Sequence, residues 1–297
     1  MGAKLVATCI MNCDVTAADL ARAERIYGTP IEALKGRTTK KTSTPALLEP
    51  VSTPTTHQQQ GLHIDLMFVK RLVFLVGVLR PLSFGMVTYL SGGKTTSSVE
   101  KGIRGQISHA SSRGFQLQQV LCDREGAVHA LTGELGMRNI HLEEAGPGQH
   151  VPVPEQKIKT LKERVRIYEH KLPFVMTSLL LVWCVYFCMG RLNMQFTTTH
   201  PHGPCPRELF VGRKTNAKTD LRHAFGDYAQ TTVRDTNNSM EERTRGCILL
   251  APTGNTTGSS HMLHLTTGRV IVGDQYTILP MPDVVSPPST AKQPRRK

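Results

Sequence analysis

The spacing of apolar and polar positions changes character at Leu62. Before it, Ala17 to Ile26 carries one helical pattern. A Thr/Pro/Lys-rich stretch from Lys35 to Gln60 follows, almost without large apolar residues, and it predicts an extended basic linker. After it come three apolar runs of strand length, HIDLMFV, LVFLVGVL and FGMVTYL, separated by short polar or Pro/Gly breaks. TTSSVEKGIRGQISHASSR then predicts an amphipathic helix and FQLQQVLCD a fourth strand. A helix over Ala127–Met137, a strand over Asn139–Leu142, a charged helix over Glu155–Lys171 and an apolar helix over Phe174–Asn193 complete this region. Strands four and five are each reached by a crossover, so the expected class is α/β with a mixed sheet.

Beyond His200 the runs shorten. DYAQTTV, GCILLAP, HMLHLTT and RVIVGDQYTILP predict strands of a small β-barrel or β-sandwich, joined by Gly- and Asn-rich turns. The expected organisation is a helix and basic linker over 1–57, an α/β core over 58–196, a small β domain over 205–283 and a disordered basic tail over 284–297.

Charge narrows the partners. Lys and Arg number 36 against 23 Asp and Glu, a formal +13, and most of the surplus falls beyond residue 150. Such a balance favours a polyanion, either nucleic acid or an acidic membrane surface. The 7 cysteines are neither dense nor regularly spaced, which argues against a disulfide framework and for a reducing compartment. Cys9 and Cys13 lack two further ligands for zinc, and HPHGPC around His200, His202 and Cys205 lacks a fourth, so it predicts a turn. SGGKTT has the surroundings of a phosphate loop but Thr88 where that pattern requires Gly, which argues against a nucleotide triphosphatase. Cys122 has no His placed to act as its base and is expected as a core thiol.

Three acids stand out. Asp65 lies inside the first strand run, where burying a carboxylate is costly unless something pairs with it. Asp123 ends the fourth strand, and Glu155 opens the charged helix. If the first and fourth strands are neighbours, Asp65 and Asp123 stand side by side, and a helix N-terminus beside that edge can bring Glu155 to them. Clustered carboxylates repel unless cations neutralise them, and a pair of Mg²⁺ ions would also activate a water or hydroxyl against a phosphodiester. Blander roles compete: Asp123 as a helix cap and Glu155 as a partner of the helix dipole. Glu155, Lys159, Lys162 and Arg166 share one helical face, while Ile158, Leu161, Val165 and Tyr168 form a second, core-facing stripe.

The segments HIDLMFV, VLCDREGAV and GPGQHVPVPEQKIKTLKERVR resemble the Asp–Asp–Glu core of a copia-type retrotransposon integrase. PRELFVGRKT, DLRHAFGDYAQ, RGCILLAPTGN and TTGRVIVGDQYTILPMPD resemble the region that follows that core, so the likeness covers about residues 15–283. It implies a ribonuclease H-like fold, and two Mg²⁺ or Mn²⁺ ions held by Asp65, Asp123 and Glu155. It also implies Lys157, Lys159, Lys162 and Arg166 on double-stranded DNA, a homo-oligomer, and a nuclear location or a cytoplasmic retroelement particle. The implied activity is trimming of element DNA ends followed by strand transfer into target DNA. The chain departs from the family in several respects: 31 residues separate Asp123 from Glu155, fewer than usual, His150–Pro154 replaces the Asn-Gly before the Glu, the His/His/Cys/Cys zinc module is absent or truncated, and no reverse-transcriptase or protease segment is seen. Two other readings stand beside it, an inactive integrase-derived nucleic-acid-binding protein and a single-pass membrane protein. The second rests on the uncharged stretch Leu172–Gly190, which is long enough to approach a bilayer core.

Overall fold

A computed structural model describes residues 15–27, 59–123, 129, 131–144, 152–195, 204–232, 244–255, 257–283 and 285. The linker, Cys9, Cys13, His200, His202 and the C-terminal tail lie outside the described residues. The chain divides into two units, one of residues 36–164 and 188–214, the other of residues 1–35, 165–187 and 215–297.

The first unit is built on β1 (Gln59–Val69), β2 (Leu72–Arg80), β3 (Phe84–Tyr89), β4 (Gln116–Cys122) and β5 (His141–Glu144), ordered β3-β2-β1-β4-β5. β1, β2 and β3 are antiparallel neighbours, whereas β4 pairs parallel with β1 and β5 parallel with β4. This is the mixed sheet of a ribonuclease H-like fold, as expected from the sequence. The long crossover from β3 to β4 carries α2 (Thr96–Ser111), which follows α1 (Ala17–Tyr27) in the chain. Thr95 caps α2 by accepting from the Ser98 N–H, and Val99, Ile103, Gln106, Ile107 and Ala110 are buried at helical spacing. SGGKTT is thus the loop and cap leading into α2.

Helices flank both faces of this sheet. On one, a Cβ at Gly77 would strike Gln106 of α2, which donates to the Leu75 carbonyl at 3.2 Å. On the other, Gly85 lies against Lys157 of α4 (Pro152–Lys171) and Met189 of α5 (Ser178–Asn193). Between β4 and β5 sits a short helix, α3 (Thr132–Met137); of the helix expected over 127–137, residues 127, 128 and 130 lie outside the described residues. α6 (Pro206–Val211) closes the unit, with Phe210 stacked on Phe84 at 3.9 Å between centroids.

Two helix boundaries differ from expectation. α4 begins at Pro152 rather than Glu155, so VPVP is first turn and not loop. Proline has no N–H to lose there, and its fixed φ already suits a helix. α5 begins at Ser178 rather than Phe174, with Thr177 accepting from the Leu180 N–H at the new start. Its 16 residues span about 24 Å at 1.5 Å each. Among the described residues no helix is long and apolar enough to cross a membrane, and Leu180, Leu181, Cys184, Val185, Phe187 and Cys188 are buried. The single-pass reading of 172–190 is therefore unsupported: most of its apolar residues are buried, although Val175 and Leu179 are exposed.

The second unit contains α7 (Ala217–Asp220) and one sheet of β6 (Tyr228–Thr232), β7 (Thr244–Pro252), β8 (Ser260–His264), β9 (Val270–Gly273) and β10 (Tyr276–Leu279), ordered β10-β6-β7-β8-β9. β9 and β10 occupy opposite ends of that order, yet only Asp274 and Gln275 separate them. The sheet must curl until its outer strands approach. The Gln275 carbonyl accordingly accepts from the Thr232 N–H, and Gly273 faces the Thr231 hydroxyl. Of the two expected forms, this is the barrel-like one, closed over Ala229, Cys247, Leu249, Met262 and Tyr276. His223 and Tyr276 both meet the Ser260 hydroxyl, at 2.9 and 3.0 Å, and tie the inner wall together.

Candidate functional site

Residues on β1 alternate between the two faces of the sheet, and the register with β4 decides what stands beside each. Gln60 pairs with Leu117, but Gly61 pairs with Gln119, so Gln118 is an extra residue in β4. From there the register runs in step to Ile64 opposite Cys122. The next positions along both strands are Asp65 and Asp123, which are thereby neighbours at the carboxyl end of β4. Without the bulge, Asp65 would face Cys122 and the acid would fall a position away, on the other face.

Ile64, Asp65, Leu66, Leu75, Val99, Cys122 and Asp123 line a small hollow at this edge. Apart from the two acids its wall is aliphatic or thiol, and Cys122 is a buried core thiol as expected. Both acids are half-buried. One Asp65 carboxylate oxygen accepts the Leu66 N–H at 2.6 Å, which fixes the side chain against its own strand. Two hard oxygen donors on adjacent strands suit a divalent cation such as Mg²⁺.

Glu155 is not among the residues of this hollow. It is the fourth residue of α4, exposed, on the helix that packs against the face of Gly85; through the pairs Gly85–Val78 and Val78–His63 that is also the face of His63 and Asp65. Among the described residues no three His, Cys, Asp or Glu side chains gather closely enough to hold an ion together. The structure thus pairs two of the three expected acids and leaves the third apart.

The basic residues of α4 do not present a single exposed face. Lys159 is exposed, Lys162 and Arg166 are half-buried, and the Arg166 Nε is buried without a hydrogen-bond partner. Lys157 is half-buried beside Gly85, and burial pushes its ammonium down to about 8. The second stripe behaves as expected: Ile158, Leu161 and Val165 are buried, and Tyr168 meets Phe187 and Phe225 edge-on.

Sequence reasoning passed over His63. It shares the Asp65 face two residues earlier on β1, and its Nδ1 is buried without a partner. Burial, aided by the charge of Arg80, pushes its pKa down to about 4, so its ring is neutral at pH 7. The signal available was the two-residue strand repeat, which puts His63 and Asp65 on one side.

No family model matches the chain, and no curated protein matches it. Among solved structures it is similar to the catalytic core domain of BIV integrase, at 15% identity and a TM-score of 0.40, over 51% of this chain and 93% of that one.

Proposed function

We propose that the chain is a retroelement integrase of copia type, cutting element DNA ends and transferring the freed strand into target DNA. The observation that carries this reading is the pairing of Asp65 with Asp123 in an apolar hollow, produced by a one-residue bulge in β4. Asp65 and Asp123 would hold divalent cations, and Glu155 is the third donor we assign, which must approach the pair for two ions to be held. When bound, two Mg²⁺ or Mn²⁺ ions supply Lewis acidity for in-line displacement at a phosphodiester. The chain's own part is positional. The Leu66 N–H orients one Asp65 oxygen, while Ile64, Leu66, Leu75 and Val99 exclude water and strengthen electrostatics at the acids. Lys159 offers charge to a phosphate.

Replacing Asp123 by Asn is expected to cut Mg²⁺-dependent strand transfer of a labelled element end by about a thousandfold or more, since metal stabilisation of such charge amounts to several kcal/mol. DNA binding without divalent ions should change little. Equal strand transfer by parent and variant would refute the assignment. A second reading, DNA binding without chemistry, is favoured by the position of Glu155 outside the hollow. It predicts that parent and variant bind DNA equally and that neither transfers strands.

A further inference from the structure

The connection between β1 and β2 is two residues, Lys70 and Arg71, closing the pair Val69–Leu72. Lys70 has φ 52°, and Arg71 is not in the left-handed region. A two-residue hairpin with positive φ only at its first position normally takes Gly there, because a side chain is disfavoured in that conformation. The chain keeps a lysine at a site where glycine would be more comfortable. Both Lys70 and Arg71 are exposed, and Phe68 beside them is 50% exposed, which leaves an aromatic ring open to contact between two cations and the hollow.

Topology places this tip. β1, β3 and β4 run in the same direction, so the hairpin, the β3–α2 loop with exposed Lys94, and Asp123 all lie at one edge of the sheet. Phe68 shares a face with Leu66, which lines the hollow; three residues beyond Asp65, an odd step, it stands at the same carboxyl edge of the sheet but on the face opposite that acid's. At roughly 3.3 Å per residue that step is about 10 Å along the strand, or about three base-pair steps of DNA at 3.4 Å each.

We propose that the β1–β2 tip, with Phe68 flanked by Lys70 and Arg71, is a DNA-docking element that grips the substrate strand about three steps from the phosphodiester held at Asp65 and Asp123. The inference rests on the integrase reading and adds to it a contact outside the charged helix. Lys70 and Arg71 bind phosphates and release counterions. Phe68 packs on an unpaired base or sugar, an apolar contact that salt does not screen.

The test uses the full chain and a labelled forked duplex of about 20 base pairs, titrated without divalent ions between about 50 and 200 mM KCl. Lys70→Gly is the informative variant, because it removes a charge while easing the turn. It should melt at or above the parental temperature, and its slope of log affinity against log salt should fall by about 0.9. Adding Arg71→Ser should take the fall to about 1.8. Phe68→Ala should weaken binding about fivefold or more with the slope unchanged. A parental slope in the Lys70 variant, or a slope lost only together with a lowered melting temperature, overturns the proposal. So does a tip whose charges matter for anionic lipid vesicles and not for DNA. Tip variants that match the parent in binding, while the parent transfers strands, remove this inference and leave the integrase reading standing. A parent that binds no DNA removes both.

Discussion

Because side chains on a strand repeat every two residues, a single extra residue is a switch and not a small displacement. Gln118 acts in this way, bringing Asp123 level with Asp65. The acids themselves were legible, since an Asp within an apolar strand run requires a reason. The bulge that aligns them was not, because nothing in QLQQVLC marks which Gln is the extra one. Burial works in the same manner on Cys247, which is fully buried in β7, and its thiol is pushed up to about 11 despite the opposing charge of Arg245. The folded chain therefore keeps this proton where the unfolded chain, near 9, has already released it. Stability is present below about pH 9 and is lost as pH rises towards about 11, by up to roughly 3 kcal/mol at 1.36 kcal/mol per pH unit. In Cys247→Ala that alkaline loss should shrink relative to the parent, read from urea midpoints at pH 8, 9.5 and 11. Parallel curves for the two proteins would assign the loss to other groups.

At the level of elements, periodicity located strands and helices well and their ends less well. The three strand runs, α2, β4 and the core stripe of α4 follow from apolar spacing alone. The start of α4 does not, because Pro152 and Pro154 signal both a loop and a first turn, and only packing decides; Pro154 is buried. RVIVGDQYTILP resolves into two strands because Asp274 and Gln275 carry the chain across to the far end of the sheet. A tertiary latch was equally invisible. Asn193, at the last position of α5, accepts from the Gly85 N–H at 2.8 Å and donates to the Gly85 carbonyl at 2.7 Å. This amide stands in for a missing strand on the edge of β3. Asn193→Ala would leave two buried backbone groups unsatisfied and is expected to cost about 2–4 kcal/mol. Denaturant unfolding should show it as a lowered midpoint, and hydrogen exchange as lost protection at Gly85. A variant within 0.5 kcal/mol of the parent would mean that water replaces the amide.

Considered whole, the chain carries a mixed sheet bearing two paired acids in one unit and an antiparallel barrel-like sheet in the other, with a net charge of +13. Composition indicated a polyanionic partner but not which surface meets it, because a net charge has no direction. Of the four α4 cations expected on DNA only Lys159 is exposed, with Lys162 half-buried; Arg164 and Lys171 of the same helix are exposed as well. Changing Lys159 and Lys162 to Ala should lower the salt slope of DNA binding by about 0.9 to 1.8, depending on whether one or both reach a phosphate. An unchanged slope in fluorescence anisotropy would remove these two lysines from the interface. The short bridge through Asp274 and Gln275 has a consequence for the second unit as well. β10 covers the flank of β6, so a chain ending before Tyr276 would present a row of bare peptide groups to any other copy. The last four-residue strand, the smallest part of that sheet, thus separates a self-contained module from one that adheres to its own kind.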